Sequence, residues 1–246
     1  MYDAAEMTGV VKTERLQEGY SKVVYATNDP DKTVLWFKDT ATAFRNIKRA
    51  EIKDKGIYTC RISSLLFKYL NDNGIKTHFL SQTGEREQLC RRADVLPIRV
   101  ILRNVAAGAI VKLLGIEHGK VFSHPVTELT LKDNELDNPI INRDHADALG
   151  VASYEETDFI IDTAHKVNRQ LSGLLESIGI KLVDFKLEFG YTSDHELVLT
   201  DEISPDTCRF WNIADGRQLD RDRYRLDLGD IIEAYQEITD RLTSVL

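Results

Sequence analysis

From Val183 to Phe189, in the stretch KLVDFKLEFG, apolar and polar residues alternate without a break. A period of two is the signature of a strand with one covered face and one polar face. It places Val183, Phe185, Leu187 and Phe189 on one side. Asp184, Lys186 and Glu188 fall on the other, successive members about 7 Å apart. HELVLTDE then reads as the returning strand of a hairpin across YTSD and delivers Asp201 and Glu202 at its end. The following SPD makes a turn in which Pro205 fixes φ and Asp206 can bond its own backbone, and Arg209 follows as an anion fork. An alternating strand is most often a half-solvated sheet face. Here the polar face is mixed in sign, and hard oxygens converge beside a lysine, which suits magnesium and a polyphosphate.

The remaining pattern predicts an α+β fold. LQEGYSKVVYAT reads as strand, turn, strand, with Gly19 in the turn and Lys22 just after it; TVLWFKD is another strand. A helix is expected at RISSLLFKYLNDNG with Gly74 as its stop, and a hairpin over 77–92. Pro97 opens the apolar run IRVILRNV and marks the expected boundary between a β-rich lobe, residues 1–96, and a mixed α/β lobe, residues 97–246, with a cleft between them. A short helix follows at AAGAIVKLLG, the longest over 153–178, and an amphipathic one at LGDIIEAYQEITDRL. The run LDRDRYRLDLG, with Arg221, Arg223 and Arg225 between Asp222 and Tyr224, reads equally as a solvated salt-bridge run or as part of a charged site.

Charge narrows the function. A formal net charge of −8 argues against a nucleic-acid binder, whose affinity rests on neutralising phosphates, yet leaves room for a small phosphorylated ligand. No apolar run approaches the roughly 20 residues of a membrane span. The N-terminal MYDAAEMTGVVKTERL has no apolar signal core, which predicts a cytoplasmic protein. Cys60, Cys90 and Cys208 are spaced as free thiols, and the six histidines have no zinc-ligand spacing.

LVDFKLEFG followed by DEISPDTCRFW, with RNVAAG upstream and DRDRYRLDLG downstream, resembles the SAICAR synthetase family, in order from about residue 14 to 242. The resemblance implies a two-lobed fold with an ATP cleft, and a ligase that joins carboxyaminoimidazole ribotide to L-aspartate with ATP and magnesium in purine biosynthesis. Its substrates are small molecules, and members often form homo-oligomers. By position, Glu188 and Asp201 would hold magnesium, and Lys186 would face phosphates or the ribotide carboxylate. Lys186, Asp206 and Arg209 are the implied catalytic set; Arg103, Arg209, Arg225 and Lys132 the substrate set. Gly19 and Lys22 would serve the ATP phosphates, and Val95 and Leu96 would border the adenine.

Several positions depart from the family pattern. Tyr20 stands in place of a lysine, Thr40 of an acid, Arg99 of a glutamate and Ala109 of a serine; Asn134, Asn138 and Asn212 stand where aspartates are usual. Arg45 and Arg99 are the candidates to replace the charge missing at Tyr20. Three readings follow: an ordinary SAICAR synthetase, a paralogue that forms an amide from another acid or amine, or a nucleotide-binding paralogue without turnover.

Overall fold

The computed structural model describes residues 9–43 and 47–246. Arg45 and the first half of the N-terminal stretch behind the cytoplasmic expectation lie outside the described residues. The short alternating segments of the first third form β1 (Lys12–Glu18), β2 (Lys22–Thr27) and β3 (Lys32–Phe37), then a two-stranded flap of β4 (Thr40–Ala43) and β5 (Lys48–Glu51). After helix α1 (Lys55–Asp72), the expected hairpin appears as β6 (Phe79–Gly84) and β7 (Glu87–Arg91), completing an antiparallel sheet in the order β1-β2-β3-β7-β6.

The second sheet opens on β8 (Ala93–Val105). Pro97 therefore lies inside a strand, and the handover between sheets falls at Arg92, ahead of the expected boundary. After α2 (Ala109–Leu114) come β9 (Val121–Leu131), β10 (Ile140–Ile141), α3 (Arg143–Ala148) and α4 (Tyr154–Ser177). A reciprocal capping box starts α4: Ser153 Oγ accepts from Glu156 N, and Glu156 accepts from Ser153 N. Then follow β11 (Ile180–Thr192), β12 (Leu197–Thr200), β13 (Cys208–Asn212), α5 (Asp222–Arg225) and α6 (Ile231–Thr243). Strand order is β10-β9-β8-β11-β12, with β13 also paired to β11.

One face of this sheet is covered by α1, α4 and α6, whose apolar stripes join Phe185, Leu187 and Phe189 in a single core with Ile98, Val100 and Leu102. Helix α1 comes from the first third of the chain but packs into this core, so the cores do not divide where the sequence suggested. It also begins six residues before the expected Arg61. Gly56 in its first turn lies so close to β3 that a Cβ would sit 2.5 Å from the Phe37 carbonyl oxygen. That approach is open only to glycine, and its helix-breaking character hid the start of the helix.

The opening alternation is broken at one point. In the pairing of β11 with β13, Leu182 faces Phe210 and Asp184 faces Arg209, so Val183 is an extra residue on its strand. This bulge returns Leu182 and Ile180 to the main core and sends Val183 to a small cluster with Val105, Ala107 and Trp211. Val183 thus does not share the face of Phe185, as strict alternation had predicted.

Candidate active site

Strands β12 and β13 pair with the same edge of β11, one after the other: β12 along Glu188–Tyr191 and β13 along Ile180–Phe185. Between them the edge is open at Lys186, whose N–H donates to the Thr207 carbonyl at 3.0 Å. The loop 201–207 fills this gap and holds itself together by short side-chain bonds. Ser204 Oγ donates to Glu202 Oε2 at 2.6 Å, and Thr207 Oγ1 to the Glu202 carbonyl at 3.0 Å. The topology thereby brings Asp201, Glu202 and Asp206 beside Lys186.

Strand β8 lies on the other side of β11, and its alternation completes the platform. Arg99 is the cross-strand neighbour of Glu188, and Arg103 of Asp184. Arg99 Nε donates to Glu188 Oε1 at 2.6 Å, and Arg103 Nη1 to Asp184 Oδ2 at 2.9 Å. Asp184 and Glu188 are only 4% and 8% exposed, so this face is covered, not wet.

Between the two sheets lies a cleft of about 890 Å³. Gly19, Tyr20 and Lys22 line it from the first sheet; Val95, Lys132, Lys186, Glu188, Asp201 and Asp206 line it from the second. Lys22 Nζ donates to Asp201 Oδ1 at 2.6 Å and to Glu202 Oε1 at 2.5 Å, tying the sheets together. Burial opposes the charge on Asp201, but Lys22, with Lys186 and Lys132 behind it, holds the carboxyl well below the usual range. Burial likewise opposes the Lys22 ammonium, and Asp201 and Glu202 override it and raise the pKa. Gly19 has no special backbone angle, and a Cβ there would meet only the Lys22 carbonyl at 3.7 Å, so sterics do not demand glycine at this turn. Leu96 is not brought to the cleft; it packs against the main core, while its neighbour Val95 stays at the cleft wall, 43% exposed.

A second cavity of about 100 Å³ adjoins the first, sharing Lys186, Asp206, Thr207 and Arg221 with it. Arg103, Arg209 and Arg225 surround it. Asp184 orders two of these guanidiniums, accepting from Arg209 Nη1 at 2.7 Å as well as from Arg103. Glu128 grips the far side of Arg103, at 3.0 and 2.9 Å, and Asp222 accepts from Arg209 Nε at 2.8 Å. Gly108 makes room for this: it sits at φ +67°, and a Cβ would come within 2.5 Å of Arg209 Nη2. In the DRDRYR run, Arg223 and Tyr224 are buried, 6% and 9% exposed. This excludes the reading of a wholly solvated run.

Asp206 is held from behind. Lys55, 1% exposed, pairs with Oδ2, and Tyr235 donates to Oδ1 at 3.2 Å. Against burial, Lys55 and then Arg221 keep this carboxyl below its ordinary range.

Sequence reasoning missed Lys55 and gave no specific role to Asp184 or Arg221. Asp184 stood on the polar face of the alternation, but its role depends on arginines from β8 and β13. Arg221 lines both cavities, and its buried Nε has no hydrogen-bond partner among the described residues. Lys186, too, makes no side-chain hydrogen bond or ion pair among the described residues; burial first, then Arg221, lowers its pKa. Two cations with no carboxylate in an ion pair among the described residues thus meet where the cavities join, which prepares the junction for an anion.

The departures can also be placed. Tyr20 is 55% exposed on the cleft wall, and Thr40 is buried with its hydroxyl on Glu51 Oε1 at 2.7 Å. Ala109 is the first residue of α2, exposed and outside the small cavity's lining. Asn134 lines the cleft, and Asn138 Oδ1 accepts from Arg99 at 2.9 Å. No cluster of three or more His, Cys, Asp or Glu able to hold a metal is found among the described residues. Magnesium is commonly bound by one or two carboxylates together with substrate phosphates. Glu188 and Asp201, both facing the cleft, fit that need and no larger one.

The profile of the family described as SAICAR synthetase matches residues 15–242. A phosphoribosylaminoimidazole-succinocarboxamide synthase of Clostridium botulinum is 47% identical over 232 residues, which is 94% of this chain and 99% of the relative. The crystal structure of the synthase of that name from Ehrlichia chaffeensis superposes with a TM-score of 0.92 at 44% identity, covering 95% of this chain and all of the other. A SAICAR synthetase in complex with ADP superposes with a TM-score of 0.90 at 45% identity, covering 93% of this chain and 97% of the other. The match in sequence and in structure runs nearly end to end, and this chain belongs to the SAICAR synthetase family.

Proposed function

We propose that the chain is an ATP-dependent ligase that joins carboxyaminoimidazole ribotide and L-aspartate, giving SAICAR, ADP and phosphate in purine biosynthesis. The observation that carries this reading is the junction at Lys186, where a nucleotide-sized cleft meets a small cavity ringed by Arg103, Arg209 and Arg225. The ribotide phosphate is taken by the guanidiniums, whose paired donors match it. That leaves the ribotide carboxylate near Lys186 and Arg221. A carboxylate oxygen attacks the γ-phosphorus of ATP and ADP departs, giving an acyl phosphate. The aspartate amine then attacks the acyl carbon, loses a proton and expels phosphate. No protein nucleophile is needed; the chain orients the partners and balances their charge. Magnesium, held by Glu188 and Asp201 with the nucleotide phosphates, would add charge neutralisation at the transferring group. Gly19 and Lys22 lie on the phosphate side of the nucleotide, and Val95 on its base side.

The same reading takes the protein to be cytoplasmic and is compatible with a homo-oligomer. No helix among the described residues is long and apolar enough to cross a membrane. A second reading, a paralogue that forms an amide from a different acid or amine, rests on Ala109, Asn134 and Asn138, of which Asn134 lines the cleft and Asn138 holds Arg99. One assay separates the two: ADP release with ribotide and aspartate, against a panel of other acids and amines. Robust turnover with the standard pair eliminates the second reading; turnover confined to another pair eliminates the first.

A further inference from the structure

Around Glu188 the resting cleft has a charge arrangement that the ligase reaction does not itself require. Both oxygens of its carboxylate are taken, Oε1 by Arg99 Nε and Oε2 by Lys132 Nζ, each at 2.6 Å. The guanidinium is held in turn, with Nη1 donating to Asn138 Oδ1 at 2.9 Å. Lys132 and Asn138 come from opposite ends of one loop between β9 and β10. Asp137 and Asn138 both take positive φ, 63° and 52°, and Asn138 N closes the loop on the Asp133 carbonyl at 2.7 Å. Asparagine tolerates that backbone region better than most residues. The neighbouring acids are occupied as well: Asp201 and Glu202 share Lys22. The carboxylates that would offer themselves to a divalent ion each carry an ammonium or guanidinium already.

We infer that Arg99 guards Glu188 against free divalent cations, so that the cleft takes up magnesium only together with the phosphates of a nucleotide. A bare ion would have to displace a charge-assisted hydrogen bond and then sit beside Arg99, Lys132 and Lys186, three like charges. Nucleotide phosphates remove both obstacles. They offer Arg99 and Lys132 oxygens of their own, and the released Glu188 carboxylate becomes free to meet the ion that the phosphates bring. Arg99 is in this role a positioning residue, acting on the metal through Glu188. The inference rests on the nucleotide cleft proposed above.

Manganese(II), whose free-ion paramagnetic resonance signal disappears on binding, serves as the probe on the full chain. Without nucleotide the wild type should leave the signal intact at manganese concentrations that saturate its ADP complex. R99Q should take up manganese without nucleotide, tighter than wild type by about tenfold or more, since one charge-assisted contact no longer competes. R99Q/E188Q should lose that gain. Should R99Q fail to fold, R99M, which keeps the length of the side chain without its charge, must move the nucleotide-free titration the same way. The role of Arg99 is overturned if wild type binds manganese equally well with and without ADP, or if the variant titrations overlay the wild type. Calorimetry with ADP separates the two layers. Absence of ADP binding overturns the cleft, whereas ADP binding with an unmoved metal titration overturns only the guard.

Discussion

Lys186 stands where the two cavities meet, and its side chain is tied to no partner among the described residues. Burial and the nearby Arg221 lower its pKa, and no carboxylate contacts it among the described residues. Replacing it with alanine should cut kcat by at least about 10²–10³-fold, the usual loss for a preorganised charge, while circular dichroism stays native. Glu188→Ala should likewise abolish turnover; near-normal kcat in either variant would falsify the phosphoryl and metal assignments. Gly108→Ala should act on the other cavity. Its φ of +67° and the 2.5 Å approach to Arg209 leave no room for a methyl group. The guanidinium must shift, and KM for the ribotide should rise about tenfold or more, with little change in KM for ATP. At this scale the sequence was legible where chemistry announces itself: Lys22, Glu188, Asp201 and Arg209 are charged residues in alternating or turn contexts. It put Asp184 and Arg221 in charged segments but gave neither a role, because their meaning lies in partners or emptiness supplied by distant segments. Leu96 was misplaced because adjacent strand residues face opposite ways, and only Val95 of the pair points to the cleft.

Among the elements, the loop 201–207 is the part on which the site's shape most depends, and it is fastened from outside. Lys55 from α1 and Tyr235 from α6 hold the two oxygens of Asp206 in a buried triad. Tyr235→Phe removes one hydrogen bond and should cost about 1 kcal/mol, seen as a fall of a few degrees in Tm. Lys55→Met leaves a buried carboxylate without its counter-ion and should cost several times more, roughly 3–5 kcal/mol. Equal melting temperatures for the two variants would show that the triad is not what holds the loop. The helices and hairpins were largely legible, because apolar spacing reports the covered face directly. Two features were not. The first turn of α1 is written with Lys55 and Gly56, a buried cation and a glycine, which read as loop. The bulge at Val183 is invisible to periodicity, since an apolar residue suits either side of a sheet covered on both faces.

Across the whole molecule, two buried groups should pull stability in opposite directions with pH. Burial, helped by Lys22 and opposed by Asp201, pushes His78 down from 6.5 to about 4. The unfolded chain then takes up a proton first, so this contribution is complete above about 6.5 and is lost as pH falls towards 4. Burial, and then Asp222, push Asp220 up from 3.8 to about 7, against the pull of Arg209. Here the folded chain keeps the proton, so stability is greatest below 3.8 and is lost as pH rises to about 7. The two windows overlap, and each is worth on the order of 3–4 kcal/mol over its full extent. Scanning calorimetry of the wild type should therefore give a nearly level Tm across the shared window. Asp220→Asn should make Tm climb with pH, and His78→Gln should make it fall; parallel profiles for all three proteins would remove the assignment. Family and cleft were legible from the order of motifs. How the cores divide was not, because α1 contributes early sequence to a core finished by α6. That arrangement reaches into biosynthesis. At ribosomal speeds of 5–20 residues per second, the apolar stripe of α1 waits roughly 10–30 s for α6 to be made. During that interval the nascent chain presents Leu66, Phe67 and Leu70 without their final cover. An efficient producer of this protein will be a cell whose holding chaperones can occupy that stripe until the last helix is released.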